Sequence, residues 1–386
     1  MQILLSAGEA SGDTYGAQMI DALRQLAPDT SFFGMGGEKM QASGCDLQVH
    51  ANEVAVVGLA EVVKHLPAIR RKFKHLVAEA ARRKPDAAIL IDFPDFNLRL
   101  ARELHQLGIP VFYFVSPQIW AWRTGRVKQI KKYVRRMIVI FPFEQEFYRR
   151  HGVEVSYVGH PLAHPLPPQA SRPAFAAQYS LDPAKEWIAL LPGSRKKEVR
   201  LNLPVILKAA AVLQREGADF EYVLPVASTL NKEWMREQIA ASSSKVNIKL
   251  VENAMVAMML AQASVVASGT ATVEAALSGT PFVVVYRVAP LTYFLGRRLL
   301  SLDTFAMPNL IAGRKVVTEL IQGDFTPAAV VRELKAIIPD TPARRQMQAD
   351  LREVRNRLRE ERFRESGMDA PVLTAAREIM AALRAS

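Results

Sequence analysis

Short apolar runs alternate with amphipathic stretches from the first residues of the chain. MQILLSA reads as a buried strand, and in DTYGAQMIDALRQLA the apolar positions Tyr15, Met19, Ala22, Leu23 and Leu26 recur at helical spacing. SFFGMGG returns as a strand. DAAILIDF, a helix from Leu98 to Leu107, IPVFYFVS and RRMIVIFPF follow in the same rhythm. Unbroken runs such as AAILI and VFYFV suit strands covered on both faces, which predicts a parallel sheet with helices on each side.

The pattern breaks at GHPLAHPLPPQASRP, where Pro161, Pro165, Pro167, Pro168 and Pro173 are too dense for either regular structure. The break predicts an interdomain linker. Beyond it the alternation restarts with EWIALLPG, a helix over about Leu203–Gln214, FEYVLPV, VNIKLVE, ASVVASG, a helix from Thr272 and TPFVVVYR. The expected fold is α/β, with two Rossmann-like, doubly wound domains over 1–165 and 174–345 whose sheets face a cleft. A charged tail over 346–386, including REVRNRLREERFRE, reads as exposed helix. Ligands of such folds sit where strands turn into helices, so those turns are searched for chemistry.

Composition narrows the class. A chain of 386 residues can bury two cores, and its single cysteine, Cys45, excludes an internal disulfide framework and fits a reducing compartment. No apolar run is long enough for a membrane span, and the opening residues lack the pattern of a signal peptide. Those features predict a cytoplasmic protein. The net charge of +12 favours an anionic partner: nucleic acid, an anionic membrane surface or a phosphorylated substrate. Without zinc-finger spacing, an RNP-like motif or a basic zipper, nucleic acid is not expected.

Several turns carry candidate chemistry. ALLPGSRKKEV sets Gly193, Ser194 and Arg195 after a strand, where amides, a hydroxyl and a guanidinium suit phosphate oxygens. A strand-end turn with a solvated basic segment is the plainer reading. In VVASGTATVEAALSGTP, Ser268, Gly269 and Thr270 form a turn, and Thr270 or Thr272 suits a helix cap. Glu274 lies one turn in, placed to accept from ribose hydroxyls or simply to stabilise the first turn. Two phosphate-friendly turns in one domain favour a nucleotide. ILIDFPDFNLRLA carries Asp92, a candidate general base whose pKa burial would raise, with Asp95 or Asn97 better suited to cap the next helix. The D-x-x-D spacing differs from the D-x-D of metal-dependent sugar transferases, so no metal and no cofactor is inferred.

The opening turn, LLSAGEASGDTYG, resembles a phosphate-binding loop with Asp13 where lysine would stand. His160 and His164 are spaced i,i+4 but flanked by prolines, GMGG lacks the third glycine of a dinucleotide fingerprint, and no G-x-S-x-G occurs. Trp120 and Trp122 in SPQIWAWR suit either core or an acceptor pocket. In VAVVGLAEVVKHLPAIRRKFKHLVAEAARRK, Leu59, Val62, Val63, Leu66, Ile69, Phe73 and Leu76 alternate with basic residues, as in a helix lying on an anionic membrane. Pro67 should divide it, and a core-facing helix fits the same pattern. APLTYFLGRRLLSL, with Arg297 and Arg298, is a second membrane candidate.

Taken in order, AGEASGD, IDFPDFNL, SPQIWAWR, GHP, LLPGSR, ASGTATVE and MPNLIAGR resemble the lipid-A-disaccharide synthase family along nearly the whole chain, with no motif beyond Pro342. The resemblance implies a GT-B type glycosyltransferase, cytoplasmic and peripheral on the inner membrane. It would join UDP-2,3-diacylglucosamine to 2,3-diacylglucosamine 1-phosphate, releasing UDP and leaving a β(1→6) disaccharide. By the same resemblance, Asp92 is the base. Gly193, Ser194 and Arg195 lie near the diphosphate, Ser268, Gly269 and Thr270 at the helix start, Glu274 on the ribose, and Asn309 beside the same cleft. Gly8, Glu9, Ser11, Gly12 and Asp13, with Trp122, are then expected at the acceptor, Asp13 capping a helix or binding a sugar hydroxyl. Leu59, Val62, Val63, Leu66 and Ile69 are expected in the membrane surface, and a homodimer is left open. Inversion from an α-linked donor needs only one in-line displacement and one carboxylate. A sugar-nucleotide epimerase of the same architecture and a non-catalytic lipid-binding protein are the alternatives.

Overall fold

The computed structural model describes residues 1–54, 59–122, 124–163, 171–242, 246–288, 304–359 and 371–385, and the side chains of all but 59–64, 121, 122 and 124 among them. The chain forms two compact units, Met1–His164 with Leu358–Ser386, and Pro165–Arg357. No helix among the described residues is long and apolar enough to cross a membrane. The candidate stretch 289–302, with Arg297 and Arg298, lies outside the described residues, as do Arg123 and His164.

The first unit holds seven parallel strands: β1 (Gln2–Ala7), β2 (Ser31–Gly36), β3 (Cys45–His50), β4 (Ala87–Ile91), β5 (Val111–Phe114), β6 (Arg136–Val139) and β7 (Val155–Tyr157). Their order is β3-β2-β1-β4-β5-β6-β7. Alternate residues feed two cores. Leu4, Ala88, Leu90, Val111 and Tyr113 pack on one face, and Ile3, Leu5, Ile89, Phe112 and Phe114 on the other. This two-sided burial is why these strands are apolar throughout.

The second unit repeats the plan with β8 (Glu186–Leu191), β9 (Phe220–Pro225), β10 (Ile248–Val251), β11 (Ala263–Ala267), β12 (Phe282–Tyr286) and β13 (Glu319–Ile321), ordered β10-β9-β8-β11-β12-β13. In both units the sheet reverses its winding beside its first strand, between β1 and β4 and between β8 and β11. Crevices at the carboxyl ends of such strand pairs are where these folds bind ligands.

Two expectations are corrected. Pro67 does not divide its helix, which runs unbroken over Leu59–Arg83. Pro67 is exposed, so its ring meets no packed neighbour. Leu76 and Ala80 are fully buried, and Ile69, Phe73 and Val77 pack against the core, anchoring the turns that follow. That anchoring offsets the ~3 kcal/mol a mid-helix proline costs.

Nor are the described residues of 346–386 an exposed tail. In the helix Pro342–Arg359, Leu351, Val354 and Leu358 are fully buried at helical spacing. The helix Pro371–Arg384 returns to the first unit, where Val372, Ala375, Ala376 and Ile379 share a core with Met19, Ile20 and Leu23. Glu378 there accepts from Arg136 Nη1 and Ser156 Oγ, both at 2.9 Å. Each fully buried valine or isoleucine contributes roughly 1.5–3 kcal/mol, enough to hold this helix in place.

Candidate active site

In the first unit Ala7 pairs with Ile91 across β1 and β4, so Gly8 and Asp92 leave adjacent strands side by side. Asp92 and Phe93 both take left-handed backbone conformations, with φ of 46° and 51°. For residues with a Cβ that costs about 1–2 kcal/mol each, so surrounding contacts must hold the turn. Asn97 supplies three: its Nδ2 donates to the carbonyls of Ser6 (3.2 Å), Ile91 (3.2 Å) and Asp92 (2.8 Å). Ser6 Oγ donates to Asn97 Oδ1 at 2.7 Å, and the Tyr113 hydroxyl donates to the Asp92 carbonyl at 2.6 Å. Gly8 leaves room for the Phe93 ring, since a Cβ there would lie 2.3 Å from it.

The half-buried Asp92 carboxyl is pushed up to about 6, chiefly by burial and further by the charge of Glu9, with the Phe93 amide acting against both. Neither Asp95 nor Asn97 caps the helix Pro94–Gln106, against expectation. Asp95 pairs with Arg126, and Asn97 is committed to the turn behind Asp92.

The opening turn leads into the helix Ala10–Leu26, whose amino end has no side-chain cap. Glu9 and Ser11 are exposed there, while Gly12 is buried against Ala7. Of the two roles expected for Asp13, capping a helix or binding the acceptor sugar, its bonds are those of a cap, though on another helix than its own. Its carboxylate accepts from the amides of Gly37 (2.7 Å), Met40 (3.1 Å) and Lys39 (3.1 Å), capping the helix Glu38–Ala42 rather than its own. The resulting turn accounts for GMGG as structure.

Trp120 donates from Nε1 to Glu144 Oε1 at 3.2 Å and meets Phe143 edge-on. Glu144 is fully buried, and burial pushes its carboxyl up to about 8 against hydrogen bonds from Phe141, Trp120 and Ser116. Trp122 lies in the short helix Ile119–Trp122, and its side chain lies outside the described ones. His160 is buried beside Phe141, and burial lowers its pKa to about 3, so the ring is neutral and accepts from the Leu162 amide at 3.1 Å.

In the second unit β8 ends at Leu191, and after Pro192 Gly193 turns with φ of 129° into the helix Lys196–Arg215. A Cβ on Gly193 would lie 2.6 Å from Glu198 Cβ. Glu198 Oε2 accepts from the amides of Ser194 (3.0 Å) and Arg195 (3.3 Å), and the Arg195 guanidinium is 3.7 Å from Glu198 Oε1. This turn therefore converges two amides and a cation on one negatively charged group. Sequence reading missed Glu198 here, although an acid three residues after the first capping position is the recognised signal.

At the neighbouring turn, after β11, the helix Ala271–Ser278 starts without a side-chain cap. Thr272 Oγ1 donates back to the Gly269 carbonyl at 2.7 Å, so neither threonine caps it. The amides of Thr272 and Val273 are spent on the carbonyls of Gly269 (3.0 Å) and Thr270 (2.9 Å), while Gly269 and Thr270 are exposed, so the amides of Thr270 and Ala271 are the ones placed to meet an anion. The Glu274 side chain is half-buried, its carboxyl makes no hydrogen bond or ion pair among the described residues, and burial raises its pKa.

Asn309 corrects its expected place at the nucleotide. It is 2% exposed, its Nδ2 donates to the Val317 carbonyl (3.0 Å) and Glu319 Oε1 (2.7 Å), and its Oδ1 accepts from the amides of Val316 (2.7 Å) and Val317 (2.9 Å). All four of an asparagine amide's hydrogen-bonding positions are filled, so the residue fastens the loop before β13.

Two doubly wound parallel sheets, each with ligand-type turns at its switch point, define the GT-B class that glycosyltransferases share with sugar-nucleotide epimerases. The fold is similar to the kitacinnamycin glycosyltransferase (TM-score 0.63, 15% identity, 98% of each chain) and to UDP-GlcNAc 2-epimerase of Neisseria meningitidis bound to UDP-GlcNAc (TM-score 0.62, 12% identity, all of each chain). Sequence separates those two chemistries. The profile of the lipid-A-disaccharide synthetase family matches residues 3–372, and the lipid-A-disaccharide synthase of Koribacter versatilis is 54% identical over 381 residues, 98% of each chain. The chain belongs to the lipid-A-disaccharide synthase family, glycosyltransferases of lipid A biosynthesis that use a sugar-nucleotide donor and a lipid acceptor.

Proposed function

We propose that the protein transfers 2,3-diacylglucosamine from UDP to the 6-hydroxyl of 2,3-diacylglucosamine 1-phosphate, forming a β(1→6) disaccharide and UDP. The carrying observation is Asp92, a half-buried carboxylate raised to about 6 and held in a fixed turn at the switch point of the first sheet. It takes the acceptor proton as the hydroxyl oxygen attacks the anomeric carbon. The bond to UDP breaks on the opposite side, and UDP leaves with the electron pair. The amides of Ser194 and Arg195, released by Glu198, and the Arg195 guanidinium take up the charge that develops on the diphosphate. The amides of Thr270 and Ala271 add to that cradle, and Glu274 accepts from the ribose hydroxyls. The uncapped amides of Ala10, Ser11 and Gly12, beside Glu9, face the phosphorylated acceptor sugar.

The test is to incubate the protein with both diacyl sugars and follow UDP and disaccharide together. Acceptor-dependent, equimolar release supports transfer. Epimerised UDP-sugar formed without acceptor would replace it with the alternative.

Peripheral binding to the anionic inner-membrane surface belongs to the same proposal. Leu66 is 50% exposed on the helix Leu59–Arg83, followed by exposed Arg70, Arg71 and Lys74. This combination suits an anionic bilayer, with Leu59, Val62 and Val63 preceding it in sequence. Ile69 packs inward and helps anchor the helix. Leu66→Glu is expected to weaken sedimentation with vesicles containing anionic lipid by several-fold, with unchanged melting. Equal binding by both proteins would remove this segment from the membrane role.

A further inference from the structure

We infer that Asn97 and Tyr113 are positioning residues of the transfer reaction, holding the Asp92 main chain in the turn that presents its carboxylate. The inference rests on the reading of Asp92 as the base. Both residues are fully buried. Asn97 gives both protons of its amide to three carbonyls, its oxygen accepts from Ser6, and at 0% exposure the side chain is out of a substrate's reach. Tyr113 reaches up from β5, one strand beyond Asp92, and places its hydroxyl 2.6 Å from the Asp92 carbonyl. Two side chains from different elements thus converge on one carbonyl oxygen, at the first of two consecutive left-handed residues.

A turn of this kind relaxes when its carbonyl is released, because extended and right-handed backbone is open to both Asp92 and Phe93. Rotation about the Asp92 backbone swings the carboxylate away from Gly8 without altering the rest of the sheet. Transfer is sensitive to such a displacement, since misplacing a reacting group by about 1 Å can cost about 100-fold in rate. Ground-state binding of either substrate uses other groups, so the loss should fall on kcat and not on KM.

Tyr113→Phe keeps the buried ring and removes only the hydroxyl. Measured beside Asp92→Asn and the double variant, it is expected to lower kcat about 10-fold with KM for both substrates within about twofold. In the Asp92→Asn background it should lower kcat by less than about twofold, because no base remains to be aimed. Asn97→Ala, checked for folding by its melting transition, should follow the same non-additive pattern. A Tyr113→Phe protein with the parent's kcat, or one losing the same factor in both backgrounds, overturns the inference while leaving Asp92 as base. Parent-like turnover by Asp92→Asn alone would instead remove the base, and the positioning role with it.

Discussion

Asp92→Asn is expected to lower turnover by roughly 10²–10⁴-fold while raising the melting temperature at neutral pH. The substitution is nearly isosteric, and asparagine accepts left-handed backbone readily, so the φ of 46° is retained. The loss in rate follows from removing the proton acceptor. The gain in stability follows from linkage. Burial and Glu9 raise the Asp92 carboxyl from 3.8 to about 6, so between those values the folded protein binds more protons than the unfolded chain. Stability is then withdrawn as pH rises from 3.8 through about 6, and the full cost stands at pH 7. The melting difference between variant and parent should accordingly be larger at pH 7.5 than at pH 4.5. The same ionisation predicts that the parent's rate climbs with pH through about 6 and levels above it, a limb the variant lacks. A variant that melts lower than the parent at pH 7.5, or a parental rate flat from pH 5 to 7, would contradict the assignment.

This opposition of stability and rate also explains which parts of the protein were legible in its sequence. The buried strands were plain, because two-sided burial leaves runs such as AAILI with no polar interruption. β7 and β13 were not, since three residues carry no periodicity, and β3, CDLQVH, is only partly buried. The returning helix Pro371–Arg384 was hidden because its partner surface lies far away in sequence, on Ala10–Leu26. At the site, Gly193, Asp92 and Glu274 could be found by position, at strand-to-helix turns. Asp13 and Asn309 stood in equally distinctive motifs, yet their polar atoms are consumed by backbone amides and carbonyls. A motif records that a side chain is needed and not whether a substrate or the fold needs it. Only the hydrogen bonds separate the two, and by that measure the Glu274 carboxyl, which makes none among the described residues, is available for the role proposed for it.

Glu274→Gln tests that distinction most directly. An acid in the first turn of a helix ordinarily gains about 0.3–1 kcal/mol from the helix dipole, which would lower its pKa. The Glu274 pKa is instead raised, so burial outweighs the dipole, and no hydrogen bond or ion pair among the described residues compensates it. Because the folded-state value lies above 4.5, ionisation withdraws stability as pH rises through it, and the charge is a net burden on the folded protein at pH 7. A purely structural residue would not be expected in that condition. Ribose hydroxyls donating to the carboxylate would supply charge-assisted hydrogen bonds worth about 1.5–3 kcal/mol, which corresponds to roughly 10- to 100-fold in affinity. Calorimetric titration should therefore show UDP binding weakened by that factor in Glu274→Gln, with a melting temperature no lower than the parent's. Titration with a UDP analogue lacking both ribose hydroxyls isolates the cause, since parent and variant should bind it alike. If the variant lost equal affinity for that analogue, the carboxylate would be acting on the cradle's shape, and the ribose would need another partner.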